Sequence, residues 1–176
     1  MLDEQFNPER PNDVWCTDIT FILTTDGFVY LNCIKDLYSR KIIVWTLADT
    51  LEISSVISTI EKAKASRDTD QPLIIHTDRD CQYVSESWFN ATVGITRNYS
   101  HTGYSYNNAR IESFHSLNKR EWLRCFSIRN YRHAYTLIFE YIETFYHTVR
   151  IQSHCDYMSL NDYERLYQRV MALPAA

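Results

Sequence analysis

Three carboxylates in this chain stand where solvated charges are out of place. Asp18 lies in PNDVWCTDIT, between Trp15 and Phe21, within a run that otherwise reads as a β-strand, and aspartate disfavours strands. Asp78 closes LIIHTD, and an acid at the C-terminal end of a buried parallel strand is where ligand sites of α/β sheets form. Glu112 falls in the first turns of a predicted helix. Each has a plainer reading: a solvent-facing strand residue, a turn or cap aspartate, and an acid favoured by the helix dipole. Together they suggest more. If the first strand is central and the fourth lies beside it, Asp18 and Asp78 become neighbours. The helix starting near Asn108 then lays Glu112 over the pair. Three carboxylates at one point repel and require a cation. Oxygen donors without a thiolate or imidazole cluster favour Mg²⁺ or Mn²⁺. Two such ions, about 3.5–4 Å apart, can activate an attacking oxygen and stabilise a leaving one in phosphoryl transfer.

The same helix carries a second feature. At about 100° per residue, Glu112 and Lys119 lie within about 20° of each other on its surface. Ile111, Phe114 and Trp122 fall on another side, suited to a core. Glu112, Ser116 and Lys119 share a polar face, and Lys119, Arg120 and Arg124 are placed to hold phosphates beside the acids. Without the acids nearby, a solvated helix face is the simpler reading.

The positioning elements follow from periodicity. VWCTDITFIL (14–23), FVYLNCIKDL (28–37) and IIVWTLA (42–48) are rich in β-branched and aromatic residues and are joined by short turns, as in an antiparallel meander. Thr24-Thr25-Asp26-Gly27 supplies hairpin chemistry. From 50 to 66, Leu51, Val56, Ile57, Ile60 and Ala63 recur at helical spacing. LIIHTD (73–78) then reads as a buried parallel strand after the crossover. A short helix at 85–92, a strand at 95–99 and a Gly/Ser/Asn-rich loop at 100–108 precede a helix at 108–122, for which Asn107 or Asn108 is a good N-cap. A last long helix covers 131–150, with an apolar seam of Tyr131, Tyr135, Ile138, Ile142, Phe145 and Val149 that reads first as core packing. The fold class is therefore α/β, a mixed five-stranded sheet flanked by helices.

Composition bounds the chemistry. The 176 residues fit one domain, and 45% hydrophobic with 23% charged residues is a globular mix. Gly27, Gly94 and Gly103 are the only glycines, which excludes GxGxxG, GxxxxGK and GxSxG motifs. The five cysteines are odd in number and form no CxxC, so they read as reduced, small buried hydrophobes of a cytosolic protein. The polar, acidic start is no signal peptide, and no apolar run is long enough to span a membrane. A net charge of −4 argues at first against nucleic acid. Residues 97–133 nevertheless carry +5 against −9 for the remainder, a basic segment that brackets Glu112.

These residues resemble the catalytic core of an insertion-sequence transposase of the retroviral-integrase type, the DDE group with an RNase H-like fold. The resemblance rests on PNDVWCTDIT, GFVYLNCIKDLYSRKIIVW, LIIHTDRDCQY, SYNNARIESFHSLNKREW and FEYIETFYHTVRIQSHCDYMSLNDYE, and covers nearly the whole chain. It implies a lead-in at 1–13, a catalytic core at 14–150 and a tail of that core at 151–176. It implies that Asp18, Asp78 and Glu112 are catalytic and bind two Mg²⁺ ions, with Mn²⁺ as substitute. The spacing of 33 residues between Asp78 and Glu112 is within the family's range. Lys119 is implied to contact transposon-end DNA, and Arg120, Arg124 and Asn108 complete the expected nucleic-acid surface. The implied reaction frees a 3′-hydroxyl by hydrolysis and joins it to a target strand. The implied setting is a prokaryotic cytoplasm, associated with the nucleoid and DNA, in a homo-oligomer. The chain departs from the pattern at Asp80, where the family has glycine, at Asn107 in place of aspartate, at Leu160 in place of proline, and at His101-Thr102 in place of basic residues. The upstream DNA-reading region is missing, as expected of a catalytic fragment or truncated product. A hydrolytic nuclease of the same fold and a catalytically silent DNA-binding or assembly module are the alternatives.

Overall fold

A computed structural model describes residues 8–67, 69, 71–100 and 108–172. Strands β1 (Val14–Thr24), β2 (Gly27–Asp36) and β3 (Ile42–Ala48) form the antiparallel meander. Helix α1 (Ile53–Ser66) leads to β4 (Ile74–Thr77), and α2 (Glu86–Ala91) leads to β5 (Thr96–Tyr99). The sheet order is β3-β2-β1-β4-β5, with β4 parallel to both β1 and β5. The central place of β1, on which the proximity of the acids depends, is therefore observed.

Alternation along β1 divides the core in two. Trp15 points toward α1 and α2, among Ile34, Val56, Ile60, Ile75 and Trp88. Val14 and Cys16 point to the other face, among Leu31, Cys33, Ile111, Phe114 and Ile138. That face is covered by α3 (Ala109–Glu121) and by α4 (Tyr131–Phe139).

Several boundaries differ from expectation. Helix α1 starts at Ile53 rather than near residue 50: Leu51, which extends the apolar period, is 49% exposed and packs into no core. The last helix does not run as one α-helix to 150. It changes at Glu140 to a π-helical stretch that ends at Tyr146. An i→i+5 repeat brings Tyr141 and Tyr146 one above the other, their rings stacked at 5.8 Å. The seam is core only at its middle: Ile138 and Ile142 are buried, while Tyr131, Tyr135 and Val149 are exposed. The tail holds a short β6–β7 pair (Ile151–Gln152 and Met158–Ser159) and a helix, α5 (Leu160–Met171), not anticipated above. Ser159 caps α5 by accepting from the Asp162 N–H at 3.2 Å. Cys155 and Leu160 join the core on the α3 side. Cys16, Cys33 and Cys155 are buried as expected, but Cys81 and Cys125 are exposed. Asn107 and loop residues 101–107 lie outside the described residues. No helix among the described residues is long and apolar enough to cross a membrane.

Candidate active site

Strand register builds the site. In the parallel β1–β4 pair, Cys16 is opposite His76. Two residues further on, Asp18 comes level with Asp78, which sits just past the end of β4. Both continue the alternation of Cys16, so Asp18 faces the side covered by α3. The ring of His115 on α3 reaches back to it, with Nε2 3.6 Å from Oδ2 of Asp18. This contact is not an ion pair. Burial, together with the charges of Lys119 and Lys35, lowers the His115 pKa to about 3, so the imidazole is neutral.

Among the described residues no Lys or Arg pairs directly with Asp18, and Lys119 acts on it only from further away. Burial, and then the charge of Asp78, push its pKa up to about 7, with Glu112 and Asp80 adding to the rise and the Ile19 N–H opposing it. Asp78 is also raised, first by burial and then by Asp80 and Glu112, against the Asp80 N–H that donates to its Oδ1 at 3.1 Å. Glu112 is exposed in the first turn of α3. Among the described residues, no three His, Cys, Asp or Glu side chains converge closely enough to hold a metal ion as they stand. The donor chemistry nevertheless fits a hard divalent cation: carboxylate oxygens, with burial first and the charge of Asp78 second holding Asp18 above its ordinary range.

The other expected residues divide. Lys119 is half-buried; its Nζ donates to Thr20 Oγ1 at 2.7 Å and stands 4.8 Å from the centre of the Phe21 ring. Burial lowers its pKa, with Asp18 opposing that shift. Arg124, in a 3₁₀ turn after α3 (Leu123–Cys125), lines the same cleft as Lys119. Arg120 is exposed and does not line that cleft. Asn108, expected as cap and nucleic-acid contact, is only 3% exposed, makes no side-chain cap, and buries its Oδ1 without a hydrogen bond. Its place against the core withdraws it from the surface.

Two contributors went unforeseen. His115 abuts Asp18, and Lys35, buried in β2, donates from Nζ to the Arg110 carbonyl at 2.8 Å, anchoring the first turn of α3 under Glu112. A lysine inside the apolar run of the second strand was the available signal for the latter.

Residues 8–105, more than half the chain, match the integrase core domain family. The chain belongs to that family. The matched stretch takes in Asp18 and Asp78 and ends before Glu112. The integrase core is 34% identical over 167 residues to the transposase for insertion sequence element IS904 of Lactococcus lactis subsp. lactis (strain IL1403), covering 94% of this chain and 66% of that protein. It is 31% identical over 168 residues to transposase InsF for insertion sequence IS3A of Escherichia coli (strain K12), covering 93% of this chain and 58% of that one. The chain thus spans about two thirds or less of these relatives' length. Among solved structures, a chain of the simian T-cell lymphotropic virus intasome in complex with PP2A regulatory subunit B56 gamma superposes with a TM-score of 0.72 at 18% identity, over 88% of this chain and 55% of that chain. The HTLV-2 integrase catalytic core domain in complex with magnesium superposes with a TM-score of 0.64 at 14% identity, over 89% and 98%. The fold is RNase H-like, of the retroviral-integrase core type.

Proposed function

We propose that this integrase core catalyses metal-dependent phosphoryl transfer on DNA. Water cleaves a phosphodiester at a transposon end and frees a 3′-hydroxyl, and that hydroxyl then attacks a phosphodiester of a target strand, whose 3′ oxygen leaves. Asp18, Asp78 and Glu112 carry the site, and no protein side chain acts as nucleophile. Asp18, Asp78 and Glu112 would hold two Mg²⁺ ions, with Mn²⁺ as substitute, and the ions would supply neutralising charge and Lewis acidity at the phosphate. The chain's own residues do the rest. Neutral His115 and the strands fix Asp18, Lys35 holds the start of α3, and Lys119 with Arg124 takes the flanking phosphates. The catalytic unit is 14–150, with 1–13 as lead-in and 151–176 as its tail, and it works as a homo-oligomer on DNA.

One observation carries this reading: strand register brings Asp18, largely buried on the central strand, beside Asp78 at the end of β4, and burial with the charges of Asp78 and Glu112 pushes the Asp18 pKa up to about 7 with a neutral imidazole against it. A cation of charge two resolves that repulsion. The magnesium described with the HTLV-2 core supports the same ion here. The test is strand transfer with labelled transposon ends in Mg²⁺ or Mn²⁺. The parent should cleave and join, and Asp18→Asn should do neither while keeping its circular dichroism spectrum. Cleavage without joining would leave a hydrolytic nuclease, and unchanged activity of Asp18→Asn would remove the three-acid site.

A further inference from the structure

A cleft adjoins the candidate site at the far end of α3. It measures about 260 Å³ and is walled by Phe21, Lys119, Leu123, Arg124, Phe126 and Ile128. An apolar cavity of about 150 Å³ already takes a benzene ring, so this one has room for a planar heterocycle. Its rings are open to water: Phe21 is 60% exposed and Phe126 43%. Among the described residues its lining holds two cations and no carboxylate. The walls are tied together in advance. The Thr25 N–H of the β1–β2 turn donates to the Ile128 carbonyl at 2.9 Å, and Lys119 is held on Thr20.

We infer that this cleft binds one unstacked base of a DNA strand, its face against Phe21 or Phe126 and its phosphate at Lys119 or Arg124. The inference rests on the reading above that the chain acts on DNA. Apolar rings beside cations, with no acid between, complement an aromatic base joined to an anion. A paired base inside a duplex offers no free face to such rings, so the occupant is an unpaired nucleotide at a strand end. Location agrees. Thr20 is two residues beyond Asp18 on β1, and Phe21 is roughly 10 Å along the strand from it. Lys119, bonded to Thr20, lines the cleft beside the acids. The basic rim argues against a purely apolar occupant.

The probes are a blunt DNA duplex and the same duplex with unpaired terminal nucleotides, one of them 2-aminopurine. Binding is followed by anisotropy and by 2-aminopurine fluorescence. The parent should bind the unpaired-end duplex more tightly and change its fluorescence. Phe126→Ala and Phe21→Ser should each weaken that binding about 5-fold or more beyond any loss on the blunt duplex, and Phe126→Tyr should retain it. Both phenylalanines are exposed, so the substitutions spare the core, and circular dichroism checks that the fold is kept. Equal losses on the two duplexes, or none, would overturn the cleft assignment while leaving DNA binding intact. A parent that binds neither duplex would contradict the DNA reading itself, and the cleft with it. Phe126→Ala converting a self-associated protein to monomers in sedimentation, with no selective loss on unpaired ends, would assign the cleft to a second copy of the chain instead.

Discussion

Asp18 on the central strand stands level with Asp78 at the end of the adjoining parallel strand, on the face of the sheet that α3 covers. A carboxylate in the middle of a sheet is costly unless something charged complements it. Among the described residues, Asp18 meets the neutral ring of His115 and the negative charges of Asp78, Glu112 and Asp80, with Lys119 the cation that acts on it from further away. The proposed divalent cation would supply the missing complement.

Asp80 contributes to that repulsion, and its removal has a definite sign. Its charge raises both Asp18 and Asp78. A metal binding to Asp18 competes with the proton, so affinity rises with pH up to the carboxyl's pKa of about 7. Asp80→Gly lowers the pKa of both aspartates. The expected result is a pH profile of Mn²⁺ binding displaced toward acid, read by titration calorimetry over a pH series. A profile that stays in place would show that Asp80 does not act on the site.

Lys119 is expected to hold phosphate rather than to read sequence. Lys119→Ala should weaken binding to DNA of every sequence and reduce the slope of log affinity against log salt by about 0.9. Fluorescence anisotropy over a salt series measures both. A slope equal to the parent's would take Lys119 off the DNA surface.

The tail tests how firmly 151–171 belongs to the folded unit. Glu164 on α5 is buried between Arg67, at 2.6 Å, and Lys41, at 3.4 Å. Burial alone would raise its carboxyl, but these two cations hold it below the ordinary range. A depressed folded pKa gives stability that is present in full above the unfolded value and is lost as pH falls through the folded one. Glu164→Ala should cost about 3 kcal/mol at neutral pH, roughly 6–12 °C in Tm. The gap should narrow once the pH drops below the glutamate's ordinary value of 4.5. Thermal melts of both proteins across acid pH check the cost and its direction, and a gap that widened in acid would refute the pairing.

The sheet and the placing of Asp18 and Asp78 were legible because strand alternation and the parallel crossover leave few arrangements open. What escaped depends on contacts made at a distance. The capping pattern of Ser159 with Asp162 was present in the chain, yet α5 is secured through Arg67 and Lys41, more than ninety positions away. The π-helical stretch depends on Tyr141 and Tyr146 packing around Phe114, which local periodicity does not report. Asn108 has the chemistry of a surface cap, and only the tertiary fold reveals that it is buried. His115 looked like any helix residue until α3 was laid across β1. Glu112 is exposed on α3, and the aspartates below it come from two separate strands, so the three acids can be read as one site only after the sheet is assembled.

The central claim is that Asp18 and Asp78 hold a divalent cation together. Crystals of the protein soaked in Mn²⁺ and measured for anomalous scattering test it directly. The account predicts a peak between the Asp18 and Asp78 carboxylates, with Glu112 facing it, and no such peak in Asp18→Asn. A parent map without a peak there, or a peak that survives in Asp18→Asn, would contradict it.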